Sequence, residues 1–325
     1  METEIHIMSA NEEEFSAYKR DIPADIKVTW VNSNSSLEEQ SLQMKNAVAL
    51  IAPSYPIPTQ LIEAAKHLKL VQVTGAGTDR MNLSELKNAG IDVANHGGGK
   101  ADAVAEHTIA LILSVYRKLH LLFRSVESGN WGKDVPRDAP YESREITGKT
   151  IGIIGLGHIG KQLAQRLLGW KCNVIYSDLS ATAPEIETKL SIVRETLDDL
   201  LRKSDIVVVL VPLTPKTTKL IGKRELNLMK PSAILINTCR GPVIDEKELV
   251  FALENNAITG AGLDVTDPEP PLPDNPILTM DNVVVTPHRS SAVLEAGEKA
   301  QRFAIQNAIR VAKGCDPQSV VPVDW

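Results

Sequence analysis

One stretch, TIGIIGLGHIGKQLAQRL, beginning at Thr150, limits the fold of this chain more than any other. An apolar run, Ile151–Ile154, leads into Gly155, Gly157 and Gly160 in G-x-G-x-x-G spacing, and an amphipathic helical pattern follows. Strand, tight turn and helix in that order belong to a βαβ unit and hence to a parallel sheet. Each glycine has its own task. Gly155 permits the turn, Gly157 lets a pyrophosphate approach the backbone, and Gly160 lets the helix pack on the strand. The helix start at His158, Ile159 and Gly160 offers unpaired N–H groups and partial positive charge to phosphates. The next strand, NVIYSD, ends in Asp178, 18 residues beyond Gly160, where an acid accepts hydrogen bonds from a ribose diol. A carboxylate there repels a 2′-phosphate, and no Arg follows within SDLSATAPE, so the pattern predicts NAD rather than NADP.

The same alternation runs through most of the chain. Before the motif, strands are predicted at Ile5–Met8, Ile26–Val31, Val48–Ile51, Leu70–Val73 and Ile91–Ala94, with helices at Thr59–Leu68 and Ser84–Ala89. A single long helix is predicted from Ala101 to Ser125; its apolar residues surround most of its girth, as in a helix buried between domains or subunits. Ser128–Tyr141 is polar and rich in Gly, Pro and Asp, and reads as loop. From Lys149 onward, six strands are predicted: Thr150–Ile154, Asn173–Ser177, Ile206–Val211, Ala233–Asn237, Gly260–Asp264 and Val283–Thr286. Helices at Ile159–Leu168, Thr196–Arg202, Lys223–Met229 and Glu246–Asn255 fall between them, and a last one spans Ala292–Lys313. The fold class expected is α/β, with two Rossmann-like or flavodoxin-like domains built on parallel sheets.

Composition narrows the function classes. A chain of 325 residues is long enough for two domains. Against 35 Lys and Arg stand 41 Asp and Glu, a net charge of -6, and the cations are scattered, so no nucleic-acid partner is expected. Three cysteines lie far apart without metal-ligand spacing, which favours a reducing compartment and predicts no metal site. The acidic N-terminus is unlike a signal peptide, and the apolar stretch near Ile109–Val115 is too short to cross a bilayer. A cytoplasmic location, with no membrane partner, is the expectation.

Three further stretches follow predicted strands on the C-terminal edge, where open α/β sheets bind ligands. They are INTCRGPVID with Arg240, GLDVTDPEP with Asp264 and Glu269, and VVVTPHRSS with His288. An Arg fork can hold a carboxylate and a neighbouring carbonyl together, and a fixed cation stabilises the charge that develops when hydride reaches that carbonyl. A histidine is the side chain best suited to supply the proton, and an adjacent carboxylate orients it. With these stretches in order, and with GAGTD at Gly75–Asp79, VAEH at Val104–His107 and VPLT at Val211–Thr214, the chain resembles the D-2-hydroxyacid dehydrogenase family over nearly its whole length.

The resemblance implies an NAD-dependent transfer of hydride between nicotinamide and C2 of a small 2-hydroxy or 2-oxo acid of D configuration. In it His288 is the acid/base, Glu269 its partner and Arg240 the substrate clamp. Val211 and Pro212 line the adenine side, with Thr217 nearby. Thr238, Cys239 and Asp264 lie near the nicotinamide, and Val104 and Ser291 touch the cofactor. The backbone of Ala76 and Gly77 holds the substrate carboxylate, with Asn95 close by. His107 is given a packing role or a subunit contact. Residues 1–98 and 292–325 form the substrate domain and 99–291 the NAD domain, with substrate in the cleft between them; a homodimer is expected from the long helix. Because the sequence ends soon after the last predicted helix, the expectation is a chain without the appended regulatory domain of longer phosphoglycerate dehydrogenases. Two sister activities fit less well. Formate dehydrogenases pair the histidine with Gln, where this chain has Glu269, and phosphite dehydrogenases carry a Lys in the loop occupied here by Ala76 and Gly77. An NAD(H)-sensing corepressor-like protein shares the fold and the triad, and remains the alternative from another class.

Overall fold

The computed structural model describes residues 4–135 and 143–323. The chain runs β1 (Glu4–Ser9), α1 (Glu12–Lys19), β2 (Lys27–Asn32), α2 (Leu37–Met44), β3 (Ala49–Ala52), α3 (Thr59–Ala64), β4 (Leu70–Val73), α4 (Leu83–Asn88), β5 (Asp92–Ala94), α5 (Ala101–Arg117) and α6 (Leu119–Glu127). It continues with β6 (Thr150–Ile154), α7 (His158–Leu167), β7 (Asn173–Ser177), α8 (Pro184–Leu190), β8 (Ile192–Arg194), α9 (Leu197–Lys203), β9 (Ile206–Val209), α10 (Lys223–Leu228) and β10 (Ile234–Asn237). The last elements are α11 (Glu246–Glu254), β11 (Gly260–Leu263), β12 (Val283–Val285) and α12 (Leu294–Ala312).

Two compact units result, Met1–Lys100 with Val293–Trp325, and Ala101–Ala292. The first holds a five-stranded parallel sheet in the order β2-β1-β3-β4-β5. One face of that sheet buries Ile5, Ile7, Ile51 and Leu70 against Ala304, Ile305, Ala308 and Val311 of α12. This contact brings the end of the chain back to its beginning. The other face buries Leu50, Val71 and Val73 against Met44, Leu61 and Leu86 from α2, α3 and α4.

The second unit holds a seven-stranded parallel sheet in the order β12-β11-β10-β9-β6-β7-β8. Its central strands are apolar on both faces, as a doubly covered parallel sheet requires. Ile206 to Val209 are all fully buried, and each such side chain contributes about 1.5–3 kcal/mol on burial. The order reverses between β6 and β9, which places a crevice at the C-terminal ends of those two strands. Helix α7 packs against α5, and Arg166 ties them by reaching Asp102 at 2.9 Å and Glu106 at 3.0 Å.

The structure corrects several details of the sequence reading. The predicted helix Ala101–Ser125 is two helices, because Lys118 adopts the left-handed conformation at φ +53°. The predicted six-stranded sheet has a seventh strand, β8, whose three residues carry too short an apolar pattern to stand out. Helix α3 stops at Ala64 and strand β9 at Val209, each short of its predicted end. Of the predicted loop, 128–135 forms turns; 136–141 lies outside the described residues.

Candidate functional site

The glycine turn follows β6 at the order reversal. Gly155 has φ +94°, and a Cβ there would lie 2.9 Å from the Leu210 carbonyl oxygen. Gly160 faces the Gly155 carbonyl so closely that a Cβ would come within 2.5 Å of it. Gly157, between them, has open space where a Cβ would go. The turn thus presents bare backbone outward at Gly157, directly ahead of the first-turn N–H groups of α7, which no intrahelical acceptor can reach. That is a cradle a pyrophosphate fits. His158 is exposed and Ile159 half-buried at the start of the helix.

Asp178 closes the far side of the turn. Its Oδ2 accepts the Leu156 N–H at 2.7 Å, and its Oδ1 accepts from Ser180 at 3.3 Å. Each oxygen retains a further lone pair for a ribose hydroxyl. A cation also stands here that the sequence reading missed. Arg194, on the neighbouring strand β8, donates from Nη2 to the carbonyl oxygens of Asp178 and Leu179 at 2.9 and 3.2 Å. The signal was the register of Tyr176 with Arg194, visible only once β8 is recognised as a strand.

Val211 and Pro212 follow β9, with Val211 beside Gly155. The Thr217 hydroxyl is used within its own turn, donating to the Pro212 carbonyl at 2.6 Å and accepting from Thr214 N–H at 2.8 Å. Thr238 is buried and shares a hydrogen bond of 3.1 Å with Thr108, which in turn donates to the carbonyl oxygen of buried Val104. Cys239 is buried as well, and burial pushes its thiol up to about 12. It remains a neutral packing group at ordinary pH.

Arg240 lies three residues past β10, in extended backbone, with Nη1 donating to the Cys239 carbonyl at 2.8 Å. The next residue fixes its surroundings. A Cβ on Gly241 would lie 1.9 Å from the Thr266 carbonyl oxygen, so the loop after β10 presses directly against the loop after β11. Only glycine permits that approach. Glu269 stands three residues beyond Thr266 in the second of these loops.

His288 follows β12. Its Nδ1 lies 2.6 Å from Glu269 Oε1, and its Nε2 has no hydrogen-bond partner among the described residues. An ionised carboxylate that close can only accept, which places a proton on Nδ1 and leaves Nε2 outside the pair. The residue is held at φ +52°, a left-handed conformation that costs a non-glycine residue about 1–2 kcal/mol. Its loop is correspondingly well anchored. The His288 N–H donates to the Asp264 carbonyl at 2.8 Å, and the buried Asp264 carboxylate accepts from Arg289 N, Ser290 N and the Thr286 hydroxyl. Asp264 is therefore foremost an anchor for this loop, while Ser291 is half-buried just beyond it and the Arg289 side chain is exposed.

In the first unit, Ala76 is exposed in the loop after β4, followed by half-buried Gly77. Asn95, after β5, donates from Nδ2 to the Ala76 carbonyl at 3.2 Å and accepts from Gly97 N and the Ser319 hydroxyl. It holds the two strand-end loops together. Among the described residues, no group of three or more His, Cys, Asp or Glu could hold a metal ion, and no helix is long and apolar enough to cross a membrane.

Comparison with known proteins places the chain. Residues 109–290 match the model of the D-isomer specific 2-hydroxyacid dehydrogenase, NAD binding domain. A glyoxylate reductase of Thermofilum pendens is 41% identical over 82% of this chain and 78% of its own length. A D-3-phosphoglycerate dehydrogenase of Archaeoglobus fulgidus is 34% identical over 90% of this chain, which spans only about half (54%) of that relative. Among solved structures, an acyclic imino acid reductase in complex with NADPH and D-Arg is 29% identical, with a TM-score of 0.82, covering 98% of this chain and 100% of its own. The chain belongs to the D-isomer specific 2-hydroxyacid dehydrogenase family. It is an NAD-dependent dehydrogenase, and the family match and the relatives speak against the corepressor-like alternative.

Proposed function

We propose that the chain reduces a small 2-oxo acid to its D-2-hydroxy acid, or runs the reverse reaction, with His288 as acid/base, Glu269 as its partner and Arg240 as substrate clamp. The observation that supports this reading is the 2.6 Å contact between His288 Nδ1 and Glu269, which leaves Nε2 as the nitrogen to exchange the proton. When bound, the nicotinamide supplies or accepts the hydride. Everything else falls to side chains. In reduction, His288 Nε2–H donates its proton to the carbonyl oxygen of the substrate; in oxidation, Nε2 accepts it from the hydroxyl. Glu269 orients the imidazole and stabilises its protonated form. Arg240 pairs with the carboxylate and offsets charge on the reacting oxygen. Ala76, Gly77 and Asn95 are assigned to the substrate carboxylate, and Val104, Gly155, Gly157, His158, Ile159, Gly160, Val211, Pro212, Thr217, Thr238, Cys239, Asp264 and Ser291 to the lining of the cofactor site.

The preference for NAD over NADP belongs to the same proposal and rests on Asp178, whose charge opposes a 2′-phosphate. Arg194 beside it softens that opposition, and a relative of this fold takes NADPH. The glyoxylate reductase relatives favour glyoxylate-sized acids, to which an arginine fork and a carboxylate cradle are suited. A cytoplasmic homodimer completes the reading. All three cysteines are free, and α6 with the following turn leaves Phe123, Val126 and Trp131 exposed.

The test is steady-state oxidation of NADH with a panel of 2-oxo acids that includes glyoxylate, hydroxypyruvate, pyruvate and a bulkier aromatic acid. Turnover with at least one, yielding the D-2-hydroxy acid in step with NADH loss, supports the proposal. Binding of NADH without turnover on any of them refutes it.

A further inference from the structure

We propose that His107, on α5, is a positioning residue for the His288 loop and acts through the Thr286 hydroxyl. The proposal rests on the reading of His288 as the proton-exchanging group. Thr286 Oγ1 lies 2.6 Å from Asp264 Oδ1, so its single hydrogen is committed to the carboxylate. His107 Nε2 lies 2.9 Å from that same hydroxyl oxygen. With the Thr286 hydrogen already used, the contact requires His107 to carry its hydrogen on Nε2 and to donate it. The other acceptor near Nε2, Asp264 Oδ1 at 3.5 Å, asks for the same proton placement.

The chain of contacts has a definite end. Thr286 stands two residues before His288 and shares its carboxylate anchor with Arg289 and Ser290, the two residues after it. His288 is thus bracketed on both sides by groups held on Asp264, and it needs such bracketing because its backbone is at φ +52°. His107 adds the tie that reaches the loop from a helix rather than from a neighbouring strand end. Helix α5 is seated on β10, β11 and β12, so the tie fixes the Thr286 oxygen against a rigid element. Releasing it lets the loop relax, and small displacements of a reacting group lower turnover steeply.

The test compares His107→Leu, His107→Gln, Thr286→Val and the double variant His107→Leu/Thr286→Val. The Gln amide can present an N–H near the place of Nε2; Leu cannot. The expected result is a fall in kcat of about tenfold for His107→Leu, with the Gln variant within about threefold of wild type, from the steep dependence of turnover on placement. The Kd for NADH, read by quenching of protein fluorescence, and the thermal midpoint stay near wild type in both. Because the effect passes through Thr286, the double variant is no slower than the slower single variant. Equal losses for Leu and Gln, a double loss equal to the product of the single losses, or wild-type kcat in His107→Leu would each overturn the proposal. Should His107→Leu fold poorly, the Gln variant in the Thr286→Val background decides by the same criterion of non-additivity. His288→Gln in the same assay separates the two levels: wild-type turnover there defeats the functional reading, whereas its loss beside an unaffected His107→Leu defeats this inference alone.

Discussion

At Gly241 the Cα meets the Thr266 carbonyl with no room for a methyl group. We expect Gly241→Ala to destabilise the protein by about 2 kcal/mol or more, as overpacking of a tight contact does, and to lower turnover beyond that loss because Arg240 is the adjacent residue. Denaturant unfolding beside kcat/KM checks both; an unchanged midpoint would mean that the two loops are not pressed together. Cys239 offers a chemical test. Burial and a thiol pushed up to about 12 predict that iodoacetamide at neutral pH leaves it intact in the native protein while exposed Cys315 is alkylated. Rapid labelling of Cys239, read by peptide mass mapping, would contradict this. The residues legible from sequence were those whose chemistry is tied to local spacing: the three glycines, and Asp178 just past a strand end. His107 was illegible, since its partner Thr286 lies 179 positions away and nothing local marks the contact.

Among the elements, β8 has the largest consequence for its size, because it brings Arg194 beside Asp178. Two opposite charges at one site predict two opposite effects. Asp178→Ala should improve NADPH binding relative to NADH by about tenfold, and Arg194→Leu should weaken NADPH binding with little change for NADH, as removal of a repulsive or attractive group does. Direct titration of both nucleotides decides; ratios unmoved in both variants would take the ribose assignment away from Asp178. Strand β1 carries a second prediction. His6 is fully buried beside Glu4, with Lys27 close by, and desolvation lowers its ionisation from 6.5 to about 4. The folded state thus holds His6 neutral where the unfolded chain would protonate it. Its contribution is intact above pH 6.5 and declines as pH falls toward 4. His6→Leu should flatten the drop in thermal midpoint between pH 7 and pH 5; an unchanged slope would contradict the account. The break between α5 and α6 shows why element ends resist reading. Tyr116-Arg117-Lys118-Leu119 contains neither glycine nor proline, the residues that mark such a turn in sequence, yet Lys118 stands at φ +53°.

For the whole molecule, the βαβ alternation was legible in outline, since two parallel sheets leave long apolar strands punctuated by polar turns. The return of α12 to the first sheet was not a matter of pattern but of resemblance, because only the packed face of Ala304, Ala308 and Val311 shows where that helix belongs. If the exposed Phe123 and Val126 of α6 face a second copy, Phe123→Asp should shift the protein to a monomer in analytical ultracentrifugation, whereas an unchanged sedimentation coefficient would move the interface elsewhere.

The chemistry itself is best tested by single-turnover hydride transfer in His288→Gln, at saturating NADH and a 2-oxo acid on which the wild type is active, with the Kd for NADH measured alongside. We expect a loss of about 1,000-fold in the transfer rate, within the range for removal of a general acid, and a Kd within about twofold of wild type, since three strands separate β12, which leads to His288, from β6, which leads to the glycine turn. A variant that transfers hydride at the wild-type rate would remove the imidazole from the reaction and leave the 2.6 Å contact with Glu269 a structural one.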